Sequence, residues 1–270
     1  MRTRSSPPLV SLLALAAPHD VSSAFAAGPE DAGGTRRRWE WEDWEDHAMR
    51  RRYENAGGFA YRQSCLTPEE FRVVRDELDR LALSLEPETG DSFATSRVGA
   101  AIPPGGPGGI HAVMGGGSMC RLVNRLEGSE GDEWTLSADV PVELRVYENG
   151  GSGMEWHVDD VLFDRPQVEV VFTVDNTSDC DTMWRLPGEG QDSLGFEVHS
   201  VQTTPNSALV LRAGGVEHKV SPLGSGRRRI LKMAFVRRGC KLREDMARHA
   251  SHHGVGRKRK KNSNKRKKKR

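Results

Sequence analysis

The sequence predicts an α+β chain with a mainly β core, a β-sandwich or jelly roll buttressed by N-terminal helices. Two features carry that prediction. A capping box opens a run of apolar residues at helical spacing over residues 67–83. From Trp134 onward the texture changes to short β-rich runs bounded by Gly, Pro, Asn and Asp, and several short strands following helices point to a sandwich or jelly roll. With 270 residues, 36% of them hydrophobic, the chain can build one sizeable core plus appendages or two small domains, and it is neither fibrous nor membrane-spanning.

Residues 1–35 read as a leader outside the fold. A basic start, Met1-Arg2-Thr3-Arg4, precedes an apolar run over residues 9–17 and an Ala24-Phe25-Ala26 site, the parts of a secretory signal peptide. The stretch 23–26 also resembles the cleavage motif of bipartite plastid presequences, and a disordered Ala-rich leader is the third reading. The apolar run is too short to span a bilayer. Residues 36–57 form a charged segment in which Trp39, Trp41 and Trp44 stand among five acids between arginine triplets. Opposite charges about a turn apart support a short helix, and the interleaved acids count against a nucleic-acid surface.

The main domain is placed at residues 58–243. Thr67 as N-cap, Pro68 at the first helical position and Glu70 three residues after the cap start a helix over 68–83, with Phe71, Val74, Leu78 and Leu81 on one face. Gly is 29 of 270 residues, and much of the excess lies between Gly99 and Gly117, read as a loop and a candidate substrate lid. A short helix is expected over 119–126. Strands are expected over 140–147, 168–174, 196–202, 208–213 and 229–236, giving a jelly-roll core over about 134–238.

The net charge of +2 conceals a division. Residues 251–270 hold eleven Lys and Arg and no acid, leaving 29 basic against 38 acidic residues elsewhere. Residues 244–270 therefore read as a disordered basic tail, either merely solvated or a nuclear-import or nucleic-acid patch. Leader and tail give opposing expectations of location, a secretory route or plastid against the nucleus. Cys65, Cys120, Cys180 and Cys240 form no C-x-x-C pair, which argues against a structural zinc site and a thioredoxin-type motif; disulfides require an oxidising compartment.

The chemistry concentrates in residues 147–160. His157 and Asp159 form an H-x-D pair, and on a strand residues i and i+2 share a face, so both can reach one ion. With 9 His and 17 Asp, about 0.6 such pairs arise by chance, so the surroundings decide. His218, flanked by apolar runs, is placed at the end of another strand. Two imidazoles and one carboxylate make the facial set that leaves three positions open on non-haem Fe(II). Arg228, ten residues further on, can take a dicarboxylate's distal carboxylate by a bidentate pair, and strand alternation sets it on the opposite face from Arg227 and Arg229.

The order Tyr147, His157-x-Asp159, His218-x-Val220-x-Pro222, Gly226-x-Arg228 resembles the 2-oxoglutarate- and Fe(II)-dependent dioxygenases, specifically a prolyl 4-hydroxylase-like branch and a less characterised subgroup of it. The resemblance spans about residues 55–240. It implies a double-stranded β-helix with His157, Asp159 and His218 as iron ligands, no catalytic residue beyond them, Arg228 on the 2-oxoglutarate carboxylate, and Tyr147 hydrogen-bonding that co-substrate. It implies hydroxylation of a peptidyl side chain or a small molecule with O₂, release of succinate and CO₂, and ascorbate as reductant. Met154 stands where an aromatic is common and Ile230 where plant-type members carry serine, so the resemblance names no substrate. The rival expectation is a non-catalytic jelly-roll binding module whose tail contacts nucleic acid or anionic surfaces. Oligomeric state has no signal in the sequence.

Overall fold

Alternation along a strand gives it two faces, and the last strand of the chain shows what each face does here. On β13 (Arg228–Arg237) the side chains of Leu231, Met233 and Phe235 are fully buried in the main apolar core, whereas Arg228, Ile230 and Lys232 belong to the opposite face. Each fully buried side chain of the first kind contributes about 1.5–3 kcal/mol, so the outer face secures the fold and the inner face is free to carry polar groups.

The computed structural model describes residues 39–88, 93–104, 108–129, 131, 133–187 and 196–247. These lie in the second of the chain's two compact units, which begins at Trp39. The leader and residues 248–270 of the basic tail fall outside the described residues, whereas residues 244–247, expected to belong to that tail, form a turn in which Met246 N donates to the Arg243 carbonyl at 3.0 Å. Four helices appear among those described: α1 (Trp39–Asn55), α2 (Pro68–Arg80), α3 (Ile110–Gly115) and α4 (Gly117–Leu126). The strands preceding β13 are β1 (Phe59–Gln63), β2 (Glu86–Pro87), β3 (Ala94–Thr95), β4 (Val98–Ala101), β5 (Trp134–Leu136) and β6 (Glu143–Tyr147). They continue with β7 (Gly153–His157), β8 (Val168–Asn176), β9 (Thr182–Pro187), β10 (Phe196–Val201), β11 (Ser207–Arg212) and β12 (His218–Val220).

The strands form two antiparallel sheets. The larger runs β1-β11-β8-β13-β6-β4-β2, with β5 also pairing β13, and the smaller runs β10-β9-β12-β7-β3. Neighbours distant in sequence, as β13 between β8 and β6, give the crossed connections of a jelly roll. Helices α2, α3 and α4 place Val74, Leu78, Ile110, Met114, Val123 and Leu126 in the same core as the outer face of the larger sheet. Tyr147, Ile230, Val220 and Cys180 cluster between the sheets, as do Phe59, Leu209 and Leu211 with Trp184.

Helix α2 has the expected capping box, with Glu70 N donating to Thr67 Oγ1 and Thr67 N to Glu70 Oε2. It ends at Arg80, short of residue 83, because Leu81 is extended. The α1 helix forms as the charge pattern predicts, and it buries Tyr53, whose hydroxyl donates to Glu127 at 2.6 Å. The side chains of its three tryptophans, Trp39, Trp41 and Trp44, lie outside the described set.

The glycine-rich region requires a correction. Its first residues are not loop but β4, paired with β6 at Gly99↔Arg145 and Ala100↔Leu144, and its last belong to α3 and α4. Gly and Ala have low strand propensity, and the free edge of β6 supplies the ladder that overrides it. The strands β1, β2, β3 and β4, all before residue 134, extend sheets whose core was expected to start there.

Candidate metal centre

The strands β7 and β12 are neighbours, and their register sets His157 directly opposite His218. The imidazole centroids are 4.3 Å apart. The β7 strand ends at His157, so Asp159 lies just beyond it and not on the strand as the i, i+2 argument assumed. Its backbone carbonyl accepts from Gly214 N at 2.9 Å, which turns the chain back so that the carboxylate still meets both rings. Asp159 Oδ1 is 3.8 Å from His157 Nε2, and Oδ2 is 3.8 Å from His218 Nε2. One ligand atom from each of the three residues lies within 4.8 Å of the other two, so a single ion can be held by all three.

Hydrogen bonding fixes the tautomers. His157 Nδ1 lies 2.8 Å from the Glu155 carbonyl and His218 Nδ1 3.0 Å from the Val216 carbonyl. A carbonyl only accepts, so each Nδ1 carries the hydrogen and each Nε2 keeps its lone pair. Burial, reinforced by His218, pushes His157 down to about 4, which keeps it neutral at physiological pH. His157 Nε2 and Asp159 Oδ2 are buried without a hydrogen-bond partner among the described residues. Neutral nitrogen lone pairs and an orphaned carboxylate oxygen suit a divalent first-row metal.

Lys232 was not singled out in the sequence, although it stands four residues after Arg228 and so on the same face. It donates to Asp159 Oδ1 at 2.9 Å and sits 3.7 Å from Glu169 Oε2. Burial opposes ionisation of Asp159, but Lys232 and the two histidines outweigh it and hold the carboxyl well below the usual range. Gln167 Nε2 donates to Glu169 Oε1 at 2.9 Å and to the Asp160 carbonyl at 2.8 Å, leaving the Asp160 side chain exposed. Phe93, half exposed, stacks on His157 with centroids 5.1 Å apart.

Arg228 is 1% exposed and pairs in register with Tyr147, which is equally buried. Its Nη1 donates to Thr182 Oγ1 at 3.0 Å, its Nε has no hydrogen-bond partner among the described residues, and burial lowers its pKa. The other buried cations of this interior have carboxylates: Arg97 with Glu88 at 2.6 Å, Arg145 with Glu143 at 2.8 Å, and Lys232 with Asp159. Among the described residues Arg228 has no ion pair, so it is the buried cation that calls for an incoming anion. The neighbours behave as alternation requires: Arg227 is exposed, and Arg229 pairs with Asp79 and Asp175.

Two crossed antiparallel sheets, with a His-x-Asp and a distant His opposed across neighbouring strands, are what solved structures of similar shape can be compared on. A prolyl hydroxylase from Trichoplax adhaerens, in complex with a hypoxia inducible factor oxygen degradation domain peptide fragment, aligns over 80% of this chain and 98% of its own (TM-score 0.55, 15% identity). The chain has the fold of the 2-oxoglutarate- and Fe(II)-dependent oxygenases. A Pseudomonas putida prolyl-4-hydroxylase aligns over 72% of this chain and all of its own (TM-score 0.52, 20% identity). The non-heme alpha ketoglutarate dependent epimerase SnoN from nogalamycin biosynthesis covers 74% of this chain and 84% of its own (TM-score 0.54, 15% identity). No protein-family model matches the sequence, and no curated protein matches it.

Proposed function

We propose that the chain is an Fe(II)- and 2-oxoglutarate-dependent dioxygenase that hydroxylates a peptidyl side chain or a small molecule. The observation that carries this reading is the pairing of two features in one interior. Three ligand atoms converge, those of His157 and Asp159 buried without a hydrogen-bond partner among the described residues, and a buried arginine on the adjoining sheet has no ion pair among them. His157, Asp159 and His218 would hold the metal and leave coordination positions open for 2-oxoglutarate and O₂. When bound, iron and 2-oxoglutarate supply the oxidising chemistry, in which O₂ is consumed and succinate and CO₂ are released.

The chain's own residues bind, orient and exclude water. Arg228 supplies the charge for the distal carboxylate of 2-oxoglutarate, Thr182 fixes the guanidinium, and Tyr147 adds a hydroxyl beside it. Ile230, Val220, Leu223 and Cys180 close this end of the interior against solvent, which strengthens the charge pairing. Lys232 holds one oxygen of Asp159 and leaves the other free for the metal. Ascorbate is the reductant this reading expects. Of the structures of this shape, the Trichoplax adhaerens prolyl hydroxylase is in complex with a peptide fragment and SnoN belongs to nogalamycin biosynthesis, which supports both substrate classes for a chain that exposes Phe93 beside His157.

The test is an anaerobic titration of residues 36–250 with Fe(II) and 2-oxoglutarate, watching for a weak visible metal-to-ligand charge-transfer band. The band is expected in the wild type and absent in His157→Ala. A folded wild type that forms no band overturns the reading and leaves a binding module. We infer a separate role for residues 257–270 from composition alone: eleven cations without an acid favour contact with nucleic acid or another anionic surface. Deleting them should abolish salt-sensitive binding to DNA without changing the band. The choice between a leader-directed and a tail-directed location follows from a C-terminal fluorescent fusion with and without residues 1–27.

A further inference from the structure

A second guanidinium reaches the co-substrate end of the interior, from a segment with no counterpart in the motif that carries Arg228. Arg97 precedes β4 and is 3% exposed. Its Nε and Nη2 grip the two oxygens of Glu88 at 2.9 and 2.6 Å, and the Arg97 carbonyl accepts from Glu88 N at 3.2 Å. The remaining Nη1 donates to the Tyr147 hydroxyl at 2.7 Å and contacts Met154 Sδ at 2.8 Å. Its Cζ lies 5.4 Å from the centroid of the Tyr147 ring, and that of Arg228 lies 5.6 Å from it.

A guanidinium has donors and no acceptor, so the phenol oxygen must accept from Arg97 and its own hydrogen must point elsewhere. Among the described residues no acceptor takes that hydrogen. Because Glu88 neutralises Arg97, Arg97 does not compete with Arg228 for an anion. We propose that Arg97 is a positioning residue that makes the Tyr147 hydroxyl a one-way hydrogen-bond donor toward the distal carboxylate of 2-oxoglutarate. This rests on the reading given under Proposed function. Arg228 supplies the charge, Tyr147 the direction, and Arg97 aims Tyr147.

The test is a double-mutant cycle read as equilibrium binding of 2-oxoglutarate to the Mn(II)-loaded full chain under anaerobic conditions. Tyr147→Phe is expected to weaken 2-oxoglutarate about tenfold or more, the scale of a hydrogen bond to a charged group, with Mn(II) affinity unchanged. Glu88→Gln with Arg97→Gln, which removes the buried charge together with its partner, is expected to weaken it by a similar factor. Adding Tyr147→Phe to that pair should cause no further loss. Pyruvate, which lacks the distal carboxylate, should bind all variants alike, whereas a merely structural defect would weaken it too. Independent losses that multiply, no effect of Tyr147→Phe, or equal losses for pyruvate overturn the proposal. If the paired variant does not fold, Arg97→Lys decides. Its single ammonium cannot hold Glu88 and the phenol in the same fork, so affinity should fall, and the fall should vanish in Tyr147→Phe. A fall that persists there, or none at all, overturns the proposal. Wild-type protein that binds Mn(II) but no 2-oxoglutarate instead sinks the dioxygenase reading itself.

Discussion

Lys232 bridges Asp159 and Glu169 in a setting where both carboxylates are almost wholly removed from water. Breaking a buried pair leaves an uncompensated charge at a cost of about 3–5 kcal/mol, so Lys232→Met should lose about that much metal-free stability. Mn(II) should restore more of it than it adds to the wild type, as urea denaturation with and without metal will show. His157 gives a pH signature of its own. Its folded value of about 4 lies below the ordinary histidine value of about 6.5, so the unfolded chain takes up a proton that the folded one refuses. The metal-free protein keeps the full benefit above about pH 6.5 and loses on the order of 3 kcal/mol as pH falls toward about 4. Urea midpoints across that window should fall more steeply for wild type than for His157→Gln. At this scale much was legible. Alternation alone separates Arg228 from Arg227 and Arg229, and the same period of two puts Lys232 on the face of Arg228. Arg97 and Glu88 carry no signal, because Arg97 meets Glu88 and Tyr147 only through the pairing of β2 with β4 and of β4 with β6.

Among the elements, those with local signatures were readable. The capping box of α2 announces itself within four residues, and Thr67→Ala should cost about 1 kcal/mol of stability in thermal or chemical melts. The long strands β8, β11 and β13 carry enough β-branched and apolar residues to be recognised by composition. The pairs β2 with β4 and β3 with β7 are each two residues long and owe their existence to edges built elsewhere. The turn into β13 shows how an element can set a site. Gly226 has φ +80°, and a Cβ there would collide with the Thr177 carbonyl. Gly226→Ala is therefore expected to cost more than about 1 kcal/mol and, two residues from Arg228, to weaken 2-oxoglutarate binding beyond its effect on Mn(II) binding. Parallel melting and equilibrium titration of that variant check both.

Across the whole molecule, the two candidate histidine ligands join neighbouring strands of the smaller sheet, and the proposed co-substrate pair, Arg228 and Tyr147, joins two of the larger. An ion bound only by the folded state stabilises it by about 2.7 kcal/mol at a hundredfold excess over its Kd. Mn(II) should accordingly raise the melting temperature of wild type and leave His218→Ala unmoved. The order of strands has a consequence for how the chain is made. The strand that occupies the middle of the larger sheet, β13, is the last in chain order among the described strands, and it carries both Arg228 and Lys232. Until residues 228–237 emerge, β8 and β6 each present an unpaired edge, the kind of surface that recruits foreign strands. Completion of the larger sheet and assembly of the proposed anion site are thus one event in biosynthesis, and a nascent chain stalled before that point is the form most in need of a chaperone.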